Sequence, residues 1–217
     1  MNTTESRLPE KQMLILIVSN ELIQAFVPAE YETSSRLYPV LYLAGNFTET
    51  QQNRIAKLIN QKIESDEICP MLVVFLTAKT LDQFKQELPE LEVRLRIRKG
   101  FRFRALAGFQ EQAFRTFTTV VNQEQFSSCI LTDGFLSKDS VSNLISELKP
   151  KALEHTAIFI DAPDKSKYYE GNGNTHMLLR DKDIRHEYRV REGVGGFGWF
   201  LTGLPEISVF VSNKFNQ

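Results

Sequence analysis

At 217 residues and 25.0 kDa the chain has the length of one α/β domain, and 42% hydrophobic with 24% charged residues is an ordinary globular composition. Lysine plus arginine number 26 against 27 aspartate plus glutamate, so the net charge of −1 excludes a general nucleic-acid binder, which would carry a basic excess. No apolar run approaches the roughly 20 residues a membrane-spanning helix needs, so no membrane partner is expected.

The predicted elements follow in chain order. Residues 1–11 are too polar to pack and are expected to form a flexible lead-in. Residues 12–19 and 22–27 read as two short strands joined at Asn20 and Glu21, a hairpin at the start of the sheet. Pro28, Ser34 and Ser35 fall in a loop. The apolar run 38–44, closed by Gly45 and Asn46, reads as a strand buried on both faces. Thr48 or Thr50 can cap a helix that carries Ile55, Leu58, Ile59 and Ile63 at helical spacing.

A second buried strand covers 70–76. Leu81, Phe84, Leu88 and Leu91 mark a helix that Pro89 should kink or divide. Ala105, Leu106 and Ala107 form a strand core running into Gly108, and a helix follows from Ala113 with Phe114, Phe117, Val120 and Val121 on one face. Residues 126–131 read as a strand, Val141, Leu144, Ile145 and Leu148 as a helix, 156–161 as a strand and 168–182 as a helix. Residues 185–191 alternate as an exposed strand would, and a last helix starts near Phe197 or Gly198. Alternation of strands and helices predicts an α/β fold with a mostly parallel sheet, helices on both faces and an N-terminal antiparallel hairpin, all in one domain spanning 1–217.

Three stretches in this order resemble the esterase family of α/β-hydrolases, whose relatives include S-formylglutathione hydrolases, feruloyl esterases and siderophore esterases. They are Tyr38-Pro-Val-Leu-Tyr-Leu-Ala-Gly45, Arg104-Ala-Leu-Ala-Gly-Phe109, and Ile184 to Val190 followed by Gly195-Gly196 with Trp199 and Leu204-Pro205-Glu206 beyond. The resemblance implies a strand–turn–helix nucleophile elbow at 108–112, where the family reads G-x-S-x-G and this chain reads Gly108-Phe109-Gln110-Glu111-Gln112. Carried over residue by residue, the nucleophile falls on Gln110, the triad acid near Ser166 and the triad histidine on Phe197.

The same alignment implies an oxyanion-like loop from Gly45 and Glu111, with Ala44 where the family has a histidine and Gln112 where it has the second elbow glycine. A remnant pocket would then be bounded by Ala44, Asn46, Gln110, Gln112 and Trp199. An amide does not act as a nucleophile, a phenyl ring accepts no proton, and Ser166 has no imidazolium to stabilise. The expectation is a fold without serine-esterase catalysis, its elbow relaxed by the long Gln112. The role implied is binding of a small ligand or a protein partner, with self-association left open and no cofactor or metal required. A chain this short also implies pared-down loops over the sheet. The alternative is a carboxylic-ester hydrolase with a displaced nucleophile, Ser127, Ser128 or Cys129 with Asp133.

Other candidates each have a plainer reading. Asp161 and Asp164 lie near the expected triad acid, but acids at strand ends commonly cap turns. His155, His176 and His186 show no ligand spacing, and His186 reads as a surface residue. The cations Arg94, Arg96, Arg98, Lys99, Arg102 and Arg104 could meet an acidic partner, or simply gather at a helix C-terminus and a solvated strand entry. Gly193, Gly195, Gly196 and Gly198 lack the spacing of a dinucleotide-binding loop. Cys69 and Cys129 suit reduced thiols, and with no signal-like N-terminal segment the expected home is the cytoplasm.

Overall fold

The computed structural model describes residues 12–148 and 153–216, so the expectation for 1–11 lies outside the described residues. Eight strands form one sheet in the order β1-β2-β4-β3-β5-β6-β7-β8. The hairpin comes first: β1 (Met13–Val18) and β2 (Glu21–Phe26) pair antiparallel, turning at Ser19 and Asn20. Both turn residues have positive φ, 50° and 66°, the conformation of a two-residue turn that matches the strand twist. The turn therefore lies one residue earlier than expected. β2 also pairs antiparallel with β4, and the remaining ladders are parallel.

The parallel strands are β3 (Val40–Ala44), β4 (Leu72–Leu76), β5 (Arg104–Phe109), β6 (Ser128–Thr132), β7 (Ala157–Pro163) and β8 (His186–Arg191). β3, β4 and β6 are buried at every position; in β3 and β4 this follows from apolar runs without alternation, while β6 also buries Ser128 and Thr132 at its ends. β8 closes the sheet and is nowhere fully buried, in keeping with its alternating pattern.

Two apolar layers hold the sheet. On one face α1 (Glu49–Glu64) and α7 (Gly196–Phe215) bring Ile55, Ile59, Phe200, Leu204, Ile207 and Val211 against Leu41, Leu43 and Val73. α1 begins in a capping box: Thr48 Oγ1 accepts from the Gln51 amide, and Gln51 Oε1 accepts from the Thr48 amide. On the other face lie α3 (Phe84–Arg94), α4 (Ala113–Gln123), α5 (Lys138–Ser146) and α6 (Tyr169–Asp181), where Tyr42 meets Phe84 edge-on at 4.7 Å.

Pro89 does not divide its helix. The break falls at Gln83, which ends the short α2 (Ala78–Asp82), while Pro89 sits inside α3. A Thr77–Thr80 capping box starts α2, so that helix closes as a single turn of its own before α3 begins. The cations of 94–104 are largely committed within the fold. Arg94 pairs with Glu90, Arg104 with Glu92, Arg96 donates to the Ser34 and Tyr31 carbonyls, and Arg98 lies over the Phe103 ring.

Candidate functional site

Parallel strands deliver their C-terminal ends to one edge, where ligands of open α/β sheets bind. β5 ends at Phe109, and Gln110 follows with φ of 51°, in a left-handed turn that leads into α4. The elbow is therefore kept, although Gln110 stands in it and Gln112 follows. The expected relaxation by Gln112 does not occur, because that side chain turns inward and is buried. The turn is also tied from outside: the Phe135 amide donates to the Gln110 carbonyl at 3.0 Å.

β6 ends one residue before Asp133, which is 1% exposed and has φ of 45°. Its carboxylate is the hub of the site. Gln110 Nε2 donates to Oδ2 at 3.0 Å, and the Gly196 amide donates to the same oxygen at 2.8 Å. Ser166 Oγ donates to Oδ1 at 2.7 Å. These are charge-assisted bonds, roughly twice as strong as neutral ones. Gly195, with φ of 83°, is needed beside them, since a Cβ there would collide with the Asp133 carboxylate. Of the three aligned triad positions, Gln110 and Ser166 thus meet on one acid.

Phe197 lies elsewhere, in an aromatic cluster at the end of β3. Phe47 stacks on Phe109 at 5.5 Å and also meets Phe197 at 6.3 Å and Phe200 at 5.8 Å, while Arg54 lies 5.4 Å from the Phe197 ring. The Phe47 ring sits where a side chain on Gly45 would go. Ala44 is buried in the core on the other face of the sheet and Asn46 is exposed. Trp199 is turned the other way, under the guanidinium of Arg191 at 3.6 Å.

Next to the elbow is an open cavity of about 450 Å³ lined by Glu111, Phe135, Leu136, Lys167, Tyr168 and Gly171. Tyr168 Oη donates to Glu111 Oε1 at 2.8 Å, Phe135 packs edge-on against the Tyr168 ring at 5.7 Å, and the Lys167 ammonium lies 4.7 Å from that ring. Burial pushes the Tyr168 phenol up, with Glu111 adding to the shift and Lys167 opposing it. Of the residues expected to bound a remnant pocket, none lines this cavity; Gln110 is the residue next to its wall.

The other candidates have partners of their own. Asp161 accepts two bonds from Arg191, at 3.0 and 2.7 Å, and Asp164 accepts from the Gly193 amide at 2.8 Å. Ser127 donates to the Arg102 and Arg104 carbonyls, and Cys129 is fully buried, which pushes its thiol far above the usual range. Ser127, Ser128 and Cys129 stand at the start of β6 and Asp133 beyond its end, a separation of roughly 13 Å or more at strand rise.

The histidines do not scatter as expected. His176 Nδ1 and His186 Nε2 are 2.8 Å apart, one from α6 and one from the start of β8, and His176 also stacks on Tyr188 at 4.6 Å. His155 and His186 line a second cavity of about 260 Å³ at the entry to β7 and β8, the opposite end of the sheet from the elbow. Among the described residues no group of three or more His, Cys, Asp or Glu is arranged to hold a metal ion.

Strand order, elbow and the loop before α7 together define the α/β-hydrolase fold. Solved structures share this fold. A ferulic acid esterase superposes with a TM-score of 0.83 at 18% identity, covering 94% of this chain and 97% of its own. An S-formylglutathione hydrolase from Staphylococcus aureus gives 0.71 at 10% identity, covering 93% and 98%. The enterobactin esterase of Shigella flexneri gives 0.76 at 11% identity, covering 97% of this chain and 62% of that one. At these identities the likeness is one of fold. No protein-family model matches the sequence, and no curated protein does.

Asp133 is the residue that sequence reasoning undervalued, placing it only as the partner of a displaced nucleophile. Its signal was an acid directly after an apolar strand and before Gly134, the same strand-end position on β6 that Gln110 holds on β5. Phe47 had no signal beyond its neighbour Gly45.

Proposed function

We propose that this chain is a non-catalytic protein of the α/β-hydrolase fold, a pseudoenzyme that binds a small ligand in the cavity beside its elbow. The observation that carries the reading is the closed hydrogen-bond set on Asp133. Acyl transfer at an elbow needs a hydroxyl or thiol, a base to take its proton and an acid to orient that base. Here the elbow residue offers an amide, and the buried carboxylate is already engaged by Gln110, Ser166 and the Gly196 amide. The paired histidines lie at the far end of the sheet. The rings of Phe47, Phe109 and Phe200 pack together beside the oxyanion-like loop.

The cavity keeps what binding requires, and no serine, cysteine or histidine among the described residues lines it. Phe135 and Tyr168 offer ring faces to an apolar body, while Glu111 and Lys167 offer opposite charges to its polar ends. Free Cys69 and Cys129 fit a reducing cytoplasmic setting. The test pairs a fluorophosphonate probe and a 4-nitrophenyl ester with thermal-shift screening of small carboxylates, phenols and amines. No labelling and no turnover are expected, with stabilisation by a screened compound that Tyr168→Ala abolishes. Labelling that Ser127→Ala or Ser128→Ala removes would overturn the reading in favour of a displaced nucleophile.

A further inference from the structure

The two edges of the sheet are built differently. β8 carries His186, Glu187, Arg189 and Arg191, and Arg189 pairs with Glu206 of α7, so charge guards that edge against another strand. β1 reads Met-Leu-Ile-Leu-Ile-Val, with no charge, no proline and regular pairing along its whole length. It has none of the devices that keep an edge strand from pairing. Ile15 is 66% exposed and Ile17 59%, and Leu22, directly across from Ile17 on β2, is 68% exposed. These three lie on the α1 and α7 side, where only Met13 and Phe26 of the hairpin join the core.

We infer that β1 is a homodimer interface, pairing antiparallel with β1 of a second copy to make one sheet continuous through both. The two-residue turn fixes Val18 and Glu21 as a hydrogen-bonded pair, so Val18, Leu16 and Leu14 direct their backbone groups to β2. Met13, Ile15 and Ile17 therefore direct theirs outward. A twofold axis through Leu16 places Ile15 of one copy opposite Ile17 of the other, twice, each pair exchanging two backbone hydrogen bonds. The four isoleucines then form one apolar cluster on a single face, flanked by both copies of Leu22. On the other face Leu14 meets Val18 of the second copy and Leu16 meets itself. The strand is apolar in both directions of reading, which is what a self-complementary partner needs.

Residues 1–11 are a poor substitute cover. Met1 and Leu8 are their only large apolar side chains, Glu5, Arg7, Glu10 and Lys11 are charged, and Pro9 has no N–H to donate.

Sedimentation or light scattering of the full chain should give twice 25.0 kDa at micromolar concentration. Ile15→Lys and Ile17→Lys should each give a monomer with unchanged far-UV circular dichroism. Leu16→Cys, at the axis, should cross-link to a dimer under mild oxidation, while Leu22→Cys should not. A monomeric wild type overturns the inference, and so does one that dimerises only after deletion of residues 1–11. A dimer that survives Ile17→Lys places the interface elsewhere and overturns it equally. If a lysine variant does not fold, the cross-linking pair decides alone.

Discussion

Removing the Asp133 carboxylate tests whether the site is held together as a static network. In Asp133→Ala three donors lose their acceptor: Gln110 Nε2 at 3.0 Å, Gly196 N at 2.8 Å and Ser166 Oγ at 2.7 Å. Bonds to a charged group contribute about 1.5–3 kcal/mol each, so the gross loss is roughly 5–9 kcal/mol. Part of that returns, because a buried charge costs several kcal/mol of desolvation that the variant no longer bears. The net expectation is about 3 kcal/mol, or roughly 10 °C in Tm for a chain of this length. Asp133→Asn separates charge from bonding. Its carbonyl can face Gln110 and Gly196 while its amide donates to Ser166, whose hydroxyl rotates to accept, so the loss should be only about 1 kcal/mol. Urea unfolding of the two variants measures both. Equal losses, or an alanine loss below about 1 kcal/mol, would mean the three bonds contribute little and the network reasoning is wrong.

Gln110→Ser should show no ester turnover above the wild type, because neither a base nor a free acid stands beside the new hydroxyl; a large rate gain in a 4-nitrophenyl ester assay would refute the placement of the histidines. Glu87 is fully buried with neither carboxyl oxygen partnered, and burial first, then Glu21 and Glu90, push its pKa up. The folded state therefore retains a proton that the unfolded chain releases near the ordinary value, and stability falls as pH rises from there through the folded pKa. Glu87→Leu should remove that fall and add about 1 kcal/mol at pH 8 by urea unfolding. His176 is shifted the other way: burial, then His186 and Arg180, hold its pKa below the usual histidine value. Its contribution is present above the unfolded pKa and lost as pH falls through the folded one, so thermal scans from pH 7 to pH 5 should show a drop that His176→Phe, which keeps the stack on Tyr188, reduces.

The fold was legible where burial alone decides structure. Uninterrupted apolar runs at β3 and β4 can only be strands covered on both sides, and each falls within a residue or two of its expected span. The break at Gln83 was not legible, because Pro89 is the stronger local signal and the Thr77–Thr80 box works through two side chains of ordinary composition. The elbow was found from its strand–turn–helix context. Its hub was not, since Gln110, Asp133, Ser166 and Gly196 come from the ends of four different strands, and no spacing along the chain brings them together. His176 and His186 show the same limit. Ten positions apart on a helix and a strand, they have no periodic relation, and only the return of α6 onto β8 pairs them.

A left-handed conformation at a non-glycine residue costs on the order of 1 kcal/mol or more, so its persistence at Gln110 requires a cause. Chain routing supplies one. β5 must reverse within three residues to lay α4 back over β5 and β6, burying Ala113, Thr116, Phe117 and Val120. Asp133 makes a similar turn at φ of 45° after β6, and the two turn residues face each other through the Gln110–Asp133 bond. A serine there would be shorter than glutamine and would leave Oδ2 with the Gly196 amide alone. The long amide reaches across to Asp133, so the turn at Gln110 fastens the ends of β5 and β6 together. On this reasoning Gln110→Ser should lose stability as well as lack activity, by about 1.5–3 kcal/mol for one bond to a charged group left unmade. Gln110→Glu should lose more, because it sets a second carboxylate against Asp133, and the gap between the two variants in urea unfolding measures how far that fastening depends on donation to the buried acid.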